Sequence, residues 1–431
     1  MWAKVTLLLL LGYLSMTRSF AYLGLPTYKV FIGEVVLVAA LLFIPTAFLG
    51  YWLGALFEPT PLSKIAWALL VFIDYGIMQS ARGIYLGYPL LTILQNFVFN
   101  LYPLYLFLGL WVGVRRARFL PDFIRLLAWW NGLYGVAYIF FLNRLPYVIP
   151  GSPGVAVFGQ PAGSAVAIIG LVLLGRELPK RWFLLLLNTF VMLAIQVRAE
   201  WLGFLVGLLL LAWLGRRRGR VAVAFATVAA LLIAGYLLRP SWRAPATRGG
   251  AISTQEIVGR AIAPLSLRLA SQLSENAESY AGTFSWRTRW WEAIWESTHD
   301  NPTRALTGHG YGYPLFSLAW YLHDPILRTP HNVFFYALGY TGWVGVWMFL
   351  LFQATLAGQL WRAYRLTGQP FGLVCWAMIL AGGLFGNVFE TPFGAIPFYL
   401  ITGLAIAPVL QLSKVSDALL VGTQPLPATR G

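Results

Sequence analysis

The sequence predicts an all-α protein that crosses a membrane about twelve times. Of its 431 residues, 59% are hydrophobic and only 11% are charged, and the mean hydropathy is positive. Apolar runs of about 17 to 25 residues recur along the chain and are long enough to cross about 30 Å of hydrocarbon as helices. A water-soluble domain of this size would carry far more surface charge. A closed membrane barrel would need alternating segments of about ten residues, which the sequence lacks.

The basic residues support the same fold class because many of them lie in short turns between the apolar runs. This distribution is typical of cytoplasmic loops under the positive-inside rule. The formal net charge of +16 therefore indicates membrane topology rather than a nucleic-acid partner. The basic turns lie at 115–118, 175–181, 215–220 and 361–365.

The first apolar stretch, "VTLLLLLGYLSM", has the composition of a signal peptide but no small-residue cleavage site, so we expect a non-cleaved first span. The single cysteine, Cys375, lies in an apolar run. The sequence therefore predicts no disulfide framework and no thiolate metal site.

With the amino terminus inside, the order of the apolar runs places both termini and all four basic turns in the cytoplasm. The predicted spans lie near 3–16, 33–57, 63–79, 97–114, 122–142, 155–174, 182–197, 200–214, 221–238, 333–359, 371–389 and 392–411. The predicted domains are an N-terminal bundle of about nine spans (1–238), a large outer segment (239–331), about three further spans (332–411) and a cytoplasmic disordered tail (412–431).

The outer segment is predicted to form a compact helical cap. Apolar residues from 257 onward have the spacing of an amphipathic helix, and Trp291 and Trp295 are four residues apart, so they would share a helical face. Pro302 follows shortly after, and three glycines at 308, 310 and 312 predict a loop.

Arg198 occupies an outer turn, where the positive-inside rule disfavours a cation. One interpretation is an arginine that extends to the membrane surface and pairs with Glu200 or a lipid head group. The other is a phosphate-binding arginine. Arg287 and Arg289 have a similar ambiguity, because they lie among tryptophans in the outer segment. They are either a solvated helix face with aromatic anchors or guanidinium donors for a phosphate group.

His331 lies between a proline and an asparagine at the start of a long apolar run. The pattern predicts a helix that begins here with Asn332 as its N-cap. Because a helix N-terminus disfavours imidazolium, the ring would be neutral and able to accept a proton. The alternative is a structural histidine at the membrane interface.

The remaining histidines, His299, His309 and His323, lack the spacing of a helical metal site, and we expect no metal. The sequence shows no nucleotide-binding loop, dinucleotide fingerprint or Ser-His-Asp arrangement. Three acids fall at or within predicted spans, and they either face a polar cavity or form hydrogen bonds between helices; they are Glu34, Asp74 and Glu390.

Four segments together resemble the O-antigen ligase and polymerase superfamily. "RTPHNVFFYALGYTGWVGVWMFL" is similar to its His-Asn signature followed by Gly-x-x-Gly, in which the histidine opens a span after the large periplasmic loop. "WRTRWWEAIWESTHDNPTRALTGHGYGYP" is similar to the segment upstream, and "QVRAEWLGFLVGLLLL" to an outer arginine turn, although the serine that precedes that arginine in the family is Val197 here. "TRSFAYLGLPTYKVFIGEVVL" is similar to the opening of many members.

The resemblance implies a GT-C-like glycosyltransferase of the bacterial inner membrane that needs no metal, cofactor or nucleotide sugar. It would transfer a glycan from undecaprenyl pyrophosphate to a hydroxyl of the lipid A–core oligosaccharide, on the periplasmic side and with inversion. Arg198 and Arg287 would bind the leaving pyrophosphate, and His331 would be the general base. We further expect a monomer in which Arg289, Trp291 and Asn332 contact substrate.

Two other functions stay open at this point. A polymerase of the same superfamily would transfer the glycan to a second lipid-linked repeat, and one dominant outer loop late in the chain favours the ligase. A non-enzymatic flippase would need charges or broken helices near the middle of the membrane. Asp74 is the best candidate for such a charge.

Overall fold

The computed structural model describes residues 1–25, 30–152, 154–174, 178–214, 218–238, 242–245, 250–322 and 329–422. Most of these residues are helical, and within them one antiparallel pair of short strands joins β1 (Gly24–Leu25) to β2 (Val30–Phe31).

The helices before the outer segment are α1 (Trp2–Ala21), α2 (Ile32–Phe43), α3 (Pro45–Phe48), α4 (Gly54–Phe57), α5 (Ser63–Tyr85), α6 (Leu90–Leu101), α7 (Tyr105–Arg115), α8 (Phe119–Phe140), α9 (Ser164–Leu173), α10 (Arg181–Ile195), α11 (Arg198–Trp213) and α12 (Arg218–Leu238). The outer segment contains α13 (Thr254–Ile262), α14 (Leu267–Ser271), α15 (Ala277–His299), α16 (Pro302–Thr307) and a 3₁₀ segment, Leu315–Leu322. The last helices are α17 (Val333–Thr367), α18 (Phe371–Gly383) and α19 (Pro392–Gly422).

Several of these helices are long and apolar enough to cross a membrane, so the predicted all-α, multi-pass class is confirmed. In the described residues they are Leu90–Arg115, Val221–Leu238, Val333–Thr367 and Pro392–Leu412, and the bent pair Ile32–Phe43 and Pro45–Phe57 would make a fifth. Shorter apolar helices are Ser164–Leu173, Arg181–Ile195 and Phe371–Gly383. The total of twelve spans and the position of the outer segment stay predictions.

The second predicted span, 33–57, is bent rather than straight. Its two halves meet at 93° between Phe43 and Pro45. Proline has no N–H to donate, and its ring disfavours helical backbone in the residue before it. Ile44 accordingly leaves the helical region, with φ −134° and ψ 55°. The bend therefore follows from Pro45.

The tail predicted to be disordered from residue 412 is helical at its start. α19 continues to Gly422, because the sequence between 412 and 421 contains neither glycine nor proline to end it. Residues 423–431 lie outside the described part of the chain.

In the core, α7 and α19 pack closely against each other. A Cβ atom at Gly109 would overlap the backbone oxygen of Leu400, and one at Gly403 would overlap that of Leu106. The two helices therefore touch backbone to backbone, as small residues allow in membrane bundles.

α17 connects this core to the outer segment. In the second half of α17, Phe352 stacks on Phe72 of α5 with ring centroids 6.0 Å apart. Nearer the amino terminus of α17, the Thr341 carbonyl accepts a hydrogen bond of 2.8 Å from the Tyr75 hydroxyl of α5. The helix is kinked at Gly342, where φ is +64° and the backbone of Leu306 leaves no room for a side chain. The amino-terminal part of α17 is thereby held against the outer helices.

Candidate functional site

The site is built around the start of α17. The side-chain oxygen of Asn332 accepts hydrogen bonds from the backbone N–H groups of Phe334 at 2.8 Å and Phe335 at 3.3 Å, which confirms the predicted N-cap. His331, directly before it, is half-buried and has a φ of +54°. A left-handed backbone is uncommon for residues other than glycine and is found where surrounding contacts enforce it. The Asn332 cap and the left-handed backbone of His331 together fix the point from which the imidazole side chain extends.

α15 is anchored to this turn by two tryptophans. Trp291 donates a hydrogen bond of 2.7 Å to the Pro330 carbonyl and stacks on Phe335 with ring centroids 5.4 Å apart. Trp290 is fully buried and donates at 2.9 Å to the Leu315 carbonyl. Because Trp290 and Trp291 project about 100° apart, the two contacts together set the rotation of α15 relative to His331.

Arg287 and His331 lie on the same tryptophan, Trp286. The edge of the His331 ring meets Trp286 at 78° with centroids 5.8 Å apart, and the Arg287 guanidinium lies 5.2 Å from the Trp286 ring. Arg287 also donates a hydrogen bond of 3.1 Å to the carbonyl of Phe385, in the loop between α18 and α19. The structure therefore brings together a cation and an imidazole that are 44 residues apart in the sequence.

Arg198 contacts the same helix nearer its amino-terminal end. It is the first residue of α11, and its guanidinium donates at 3.0 Å to the carbonyl of Tyr280. Tyr280 and Arg287 are seven residues apart, which is about 10.5 Å along α15 and nearly the same face. The turn before Arg198 contains Gln196, a second non-glycine residue with positive φ, at +58°. Arg198 thus lies against the face of α15 that carries Arg287.

The Arg198 turn is held by a polar cluster that the sequence did not single out. Arg260 of α13 is buried, stacks over the Tyr280 ring at 4.0 Å and donates to the Gln196 carbonyl at 3.4 Å. The Tyr280 hydroxyl donates to Glu256 at 2.6 Å. Burial and the bond to Glu256 raise the pKa of Tyr280 above its ordinary value, so the hydroxyl remains protonated near neutral pH.

Glu200, which the sequence suggested as a partner for Arg198, has a carboxylate that contacts another helix. Its carboxylate accepts a hydrogen bond of 3.1 Å from the backbone N–H of Ala165, in the first turn of α9. A carboxylate is favoured at that position because of the exposed N–H groups and the positive end of the helix dipole. Glu200 therefore ties α11 to α9.

Arg289 is not brought to the centre of the site. It is exposed, and two residues along a helix correspond to a rotation of about 200° from Arg287. Trp291, by contrast, lies one turn beyond Arg287 on a neighbouring line of the helix and is buried. Of the three residues expected to contact substrate, Asn332 and Trp291 therefore lie beside His331, and Arg289 faces away.

The glycine loop after α16 is also where it was expected, with positive φ at Gly308, Gly310 and Gly312. Gly308 lies so close to the Tyr340–Thr341 backbone of α17 that a side chain would not fit. His309 in this loop is buried and hydrogen-bonded to the Ser297 hydroxyl at 3.1 Å. Burial lowers the pKa of His309 to about 4, so the ring is neutral at pH 7. His323 lies outside the described residues.

The three acids at or within the predicted spans, Glu34, Glu390 and Asp74, lie in three different environments. Glu34 accepts hydrogen bonds from the Phe31 N–H at 3.0 Å and the Tyr102 hydroxyl at 2.7 Å, so it bonds between helices. Glu390 is buried in the loop before α19. Asp74, at the middle of α5, is exposed. In the described residues, no three His, Cys, Asp or Glu side chains are grouped so that they could hold a metal ion.

A shallow cavity of about 290 Å³ adjoins the site on α15. It is lined by Thr288, Trp291, Glu292, Trp295, Glu296 and Phe335. Trp291 and Trp295 share one helical face, as their spacing predicted.

The comparison with known families gave a match over part of the chain. Residues 183–350 match the family model described as O-antigen ligase. The matched range includes Arg198, Arg287 and His331, but not the Phe385 carbonyl that Arg287 contacts. A comparison with curated proteins gave no match. The match confirms that this chain resembles the O-antigen ligase and polymerase superfamily, as its motifs indicated.

Proposed function

We propose that this protein is a glycosyltransferase that moves a glycan from undecaprenyl pyrophosphate to a hydroxyl of the lipid A–core oligosaccharide, as an O-antigen ligase does. The observation that supports this most is the meeting of Arg287 and His331 on Trp286 at the start of α17. Both side chains contact one ring and both lie in the range that matches the family model, which supports a cation next to a candidate base.

The two arginines provide for the leaving group. Negative charge develops on the pyrophosphate as the glycosidic bond breaks, and guanidinium groups that are already oriented stabilise it without reorganisation. Arg287 is oriented by the Phe385 carbonyl and Trp286, and Arg198 by the Tyr280 carbonyl. Each guanidinium is a planar fork of five N–H donors, and this fork is the geometry that suits phosphate oxygens.

His331 provides for the nucleophile. The acceptor oxygen forms a bond to the anomeric carbon, the bond from that carbon to the pyrophosphate oxygen breaks with its electron pair, and the acceptor proton passes to the imidazole. A single displacement of this kind inverts the anomeric centre. Proton transfer to a positioned base is worth about 10²- to 10⁴-fold in rate. The protonated ring then returns its proton to solvent, so no metal is required by this scheme.

We place the reaction on the periplasmic side of a bacterial inner membrane. The twelve predicted spans put the start of α17, the Arg198 turn and α13–α16 on one side, and the four basic turns on the other. The same spans put the carboxyl end of α5 on this side, and its Arg82 donates hydrogen bonds of 2.7 to 3.0 Å to Thr307 and Gly308, which supports a common side. The lipid-linked donor would then present its pyrophosphate at the level of Arg287.

The experiment is a transfer assay with purified protein in nanodiscs, undecaprenyl-pyrophosphate glycan, lipid A–core acceptor and EDTA. Wild type should form glycolipid product with inverted configuration. His331→Gly should lose activity by about 10²-fold or more. This variant should still fold, because glycine adopts the positive φ of this position more readily than histidine does. Added imidazole should restore part of the rate if the lost group is a base.

Controls separate the role of charge at the site from charge on the outer surface. Arg287→Ala should reduce transfer strongly, whereas Arg268→Ala, an exposed arginine on α14, should leave it unchanged. A His331→Gly protein as active as wild type would contradict the base. Product with a second lipid-linked repeat, but none with lipid A–core, would identify a polymerase. A glycan that crosses the membrane with its pyrophosphate bond intact would identify a flippase, although the exposed position of Asp74 gives no polar path inside the bundle.

A further inference from the structure

The cavity on α15 has a composition that differs from the arginine site beside it. Two indole rings and a phenyl ring supply apolar faces, and Glu292, Glu296 and Thr288 supply polar atoms at its rim. Pockets that are mostly apolar with a few placed polar groups are the usual form of small-ligand sites. Two carboxylates disfavour a second phosphate here, so the cavity fits a neutral ligand that donates hydrogen bonds.

Carbohydrate rings have this chemistry. Their C–H faces pack on aromatic rings, and their hydroxyl groups donate hydrogen bonds to carboxylate oxygens, which accept only. Glu292 and Glu296 are both exposed, so their oxygens are open to a ligand. A volume of about 290 Å³ is in the range of a small-molecule pocket.

The aromatic rings extend from the arginine site along one face of α15. Arg287, Trp291 and Trp295 follow one another at intervals of four residues, which is about 6 Å of rise on nearly one face of α15. A chain of sugar residues that begins beside Arg287 would therefore reach Trp295 within a few residues. The exposed fraction rises from 9% at Trp291 to 43% at Trp295, so the line opens outward from the buried end.

The Trp295 ring is held in place before any ligand binds. It stacks on His299 with centroids 4.0 Å apart and meets Trp343 of α17 at 89° with centroids 6.1 Å apart. The Trp343 indole donates at 3.0 Å to the His299 ring, and the other His299 nitrogen lies 2.8 Å from the Trp295 carbonyl. A ring fixed from two sides loses little conformational entropy on contact with a ligand.

We propose that this cavity is a saccharide-binding subsite, in which Trp295 stacks on a sugar ring and Glu292 and Glu296 accept its hydroxyl groups. The proposal rests on the proposed transferase function for its substrate class. The saccharide belongs either to the donor glycan or to the acceptor core, since both present the same chemistry beside the transferred bond.

Kinetics distinguish the two sources. Trp295→Ala and Glu292→Gln should each raise the KM for one substrate about five- to tenfold, while kcat stays within about twofold of wild type. A change in the donor KM assigns the subsite to the donor glycan, and a change in the acceptor KM assigns it to the core. Trp347→Ala removes an indole of the same size on α17, more exposed than Trp295 (65% against 43%), and is the control that should change neither constant.

Direct binding tests the subsite without transfer. Saturation-transfer NMR with His331→Gly protein and lipid-free donor or core oligosaccharide should show contacts that disappear in the His331→Gly, Trp295→Ala double variant. This result would stand even if wild type failed to transfer, so failure of the proposed reaction and failure of the subsite are distinguishable. Unchanged KM values together with no binding of either oligosaccharide would overturn the proposal and leave Trp295 as a membrane-interface anchor.

Discussion

The α7–α19 contact is buried and the α15 site is half-buried, and the two are held together in different ways. α7 and α19 touch through glycines, with the backbone of one helix against that of the other. α15 is held by side chains that donate to single carbonyl groups: Arg287 to Phe385, Arg198 to Tyr280 and Trp291 to Pro330. The glycine contact leaves no room for an added atom. The side-chain contacts bring guanidinium groups to a place that a ligand can reach. Substitutions should therefore affect stability in the first region and activity in the second.

The largest expected effect tests the glycine contact. Gly403→Ala should destabilise the protein by about 3 kcal/mol, because the added methyl group would overlap the backbone of Leu106 and neither helix can move alone. Gly358→Ala is the matched control, since no neighbour among the described residues comes within 4 Å of a Cβ atom at that position on α17, and it should gain about 0.5 to 1 kcal/mol. Thermal unfolding in detergent, followed by size-exclusion chromatography, measures both. Equal melting temperatures would contradict the close packing.

The next prediction tests the polar contact at the site. Arg287→Lys should lower kcat/KM by about 10²-fold, because lysine keeps the charge but cannot bond the Phe385 carbonyl and two phosphate oxygens in one plane. The melting temperature should change little. A lysine variant with full activity would show that charge alone is sufficient at this position.

The glycine loop should give the protein a pH-dependent stability. Burial lowers the pKa of His309 to about 4, below the ordinary value of about 6.5, so the unfolded chain binds the proton first as the pH falls. The stability present above pH 6.5 should therefore be lost toward pH 4, by about 1 to 2 kcal/mol at pH 5. Unfolding measured between pH 7.5 and 4.5 should show a shallower slope for His309→Gln. Parallel curves would mean that His309 does not titrate as described.

The smallest effect concerns the cap of α17. Asn332→Ala should cost about 1 kcal/mol, because two backbone N–H groups lose their acceptor. Asn332→Asp should keep the cap, since its carboxylate can accept the same bonds, but its negative charge should raise the KM for the pyrophosphate donor. A stable Asn332→Asp variant with an unchanged donor KM would place the pyrophosphate farther from this turn.

The sequence predicted those parts of the structure that depend on local pattern. The helical class, the Asn332 cap, the glycine loop and the shared face of Trp291 and Trp295 all follow from spacing or from single residue types. The bend is equally local, because Pro45 alone accounts for it, but the continuous apolar run around it predicts one long span. The sequence also indicated Arg198, Arg287 and His331, through resemblance and unusual placement, and two of these meet on one ring.

The remaining parts depend on distant segments. Tyr280 and Phe385 contribute backbone carbonyls to the site, and a carbonyl leaves no trace in residue type. Arg260 lies in an ordinary amphipathic helix, and only its burial against Tyr280 distinguishes it. Arg289 resembles Arg287 in sequence, but the rotation of α15, set by its buried tryptophans, separates them. The direction of each side chain, which the sequence does not reveal, therefore determines which of the two arginines lies at the site.

The bond from Arg287 to the Phe385 carbonyl also limits how the site can be moved between proteins. The range that matches the family model ends at residue 350, so it includes the arginine but not the carbonyl that orients it. The same range contains Glu200 but not Ala165, the residue that its carboxylate bonds. A chimera that exchanged only the matched range with a relative would pair the reactive side chains with backbone groups whose positions are set by the other chain's segments. Swapped segments should therefore extend past Phe385, and also include α9, if activity is to be transplanted.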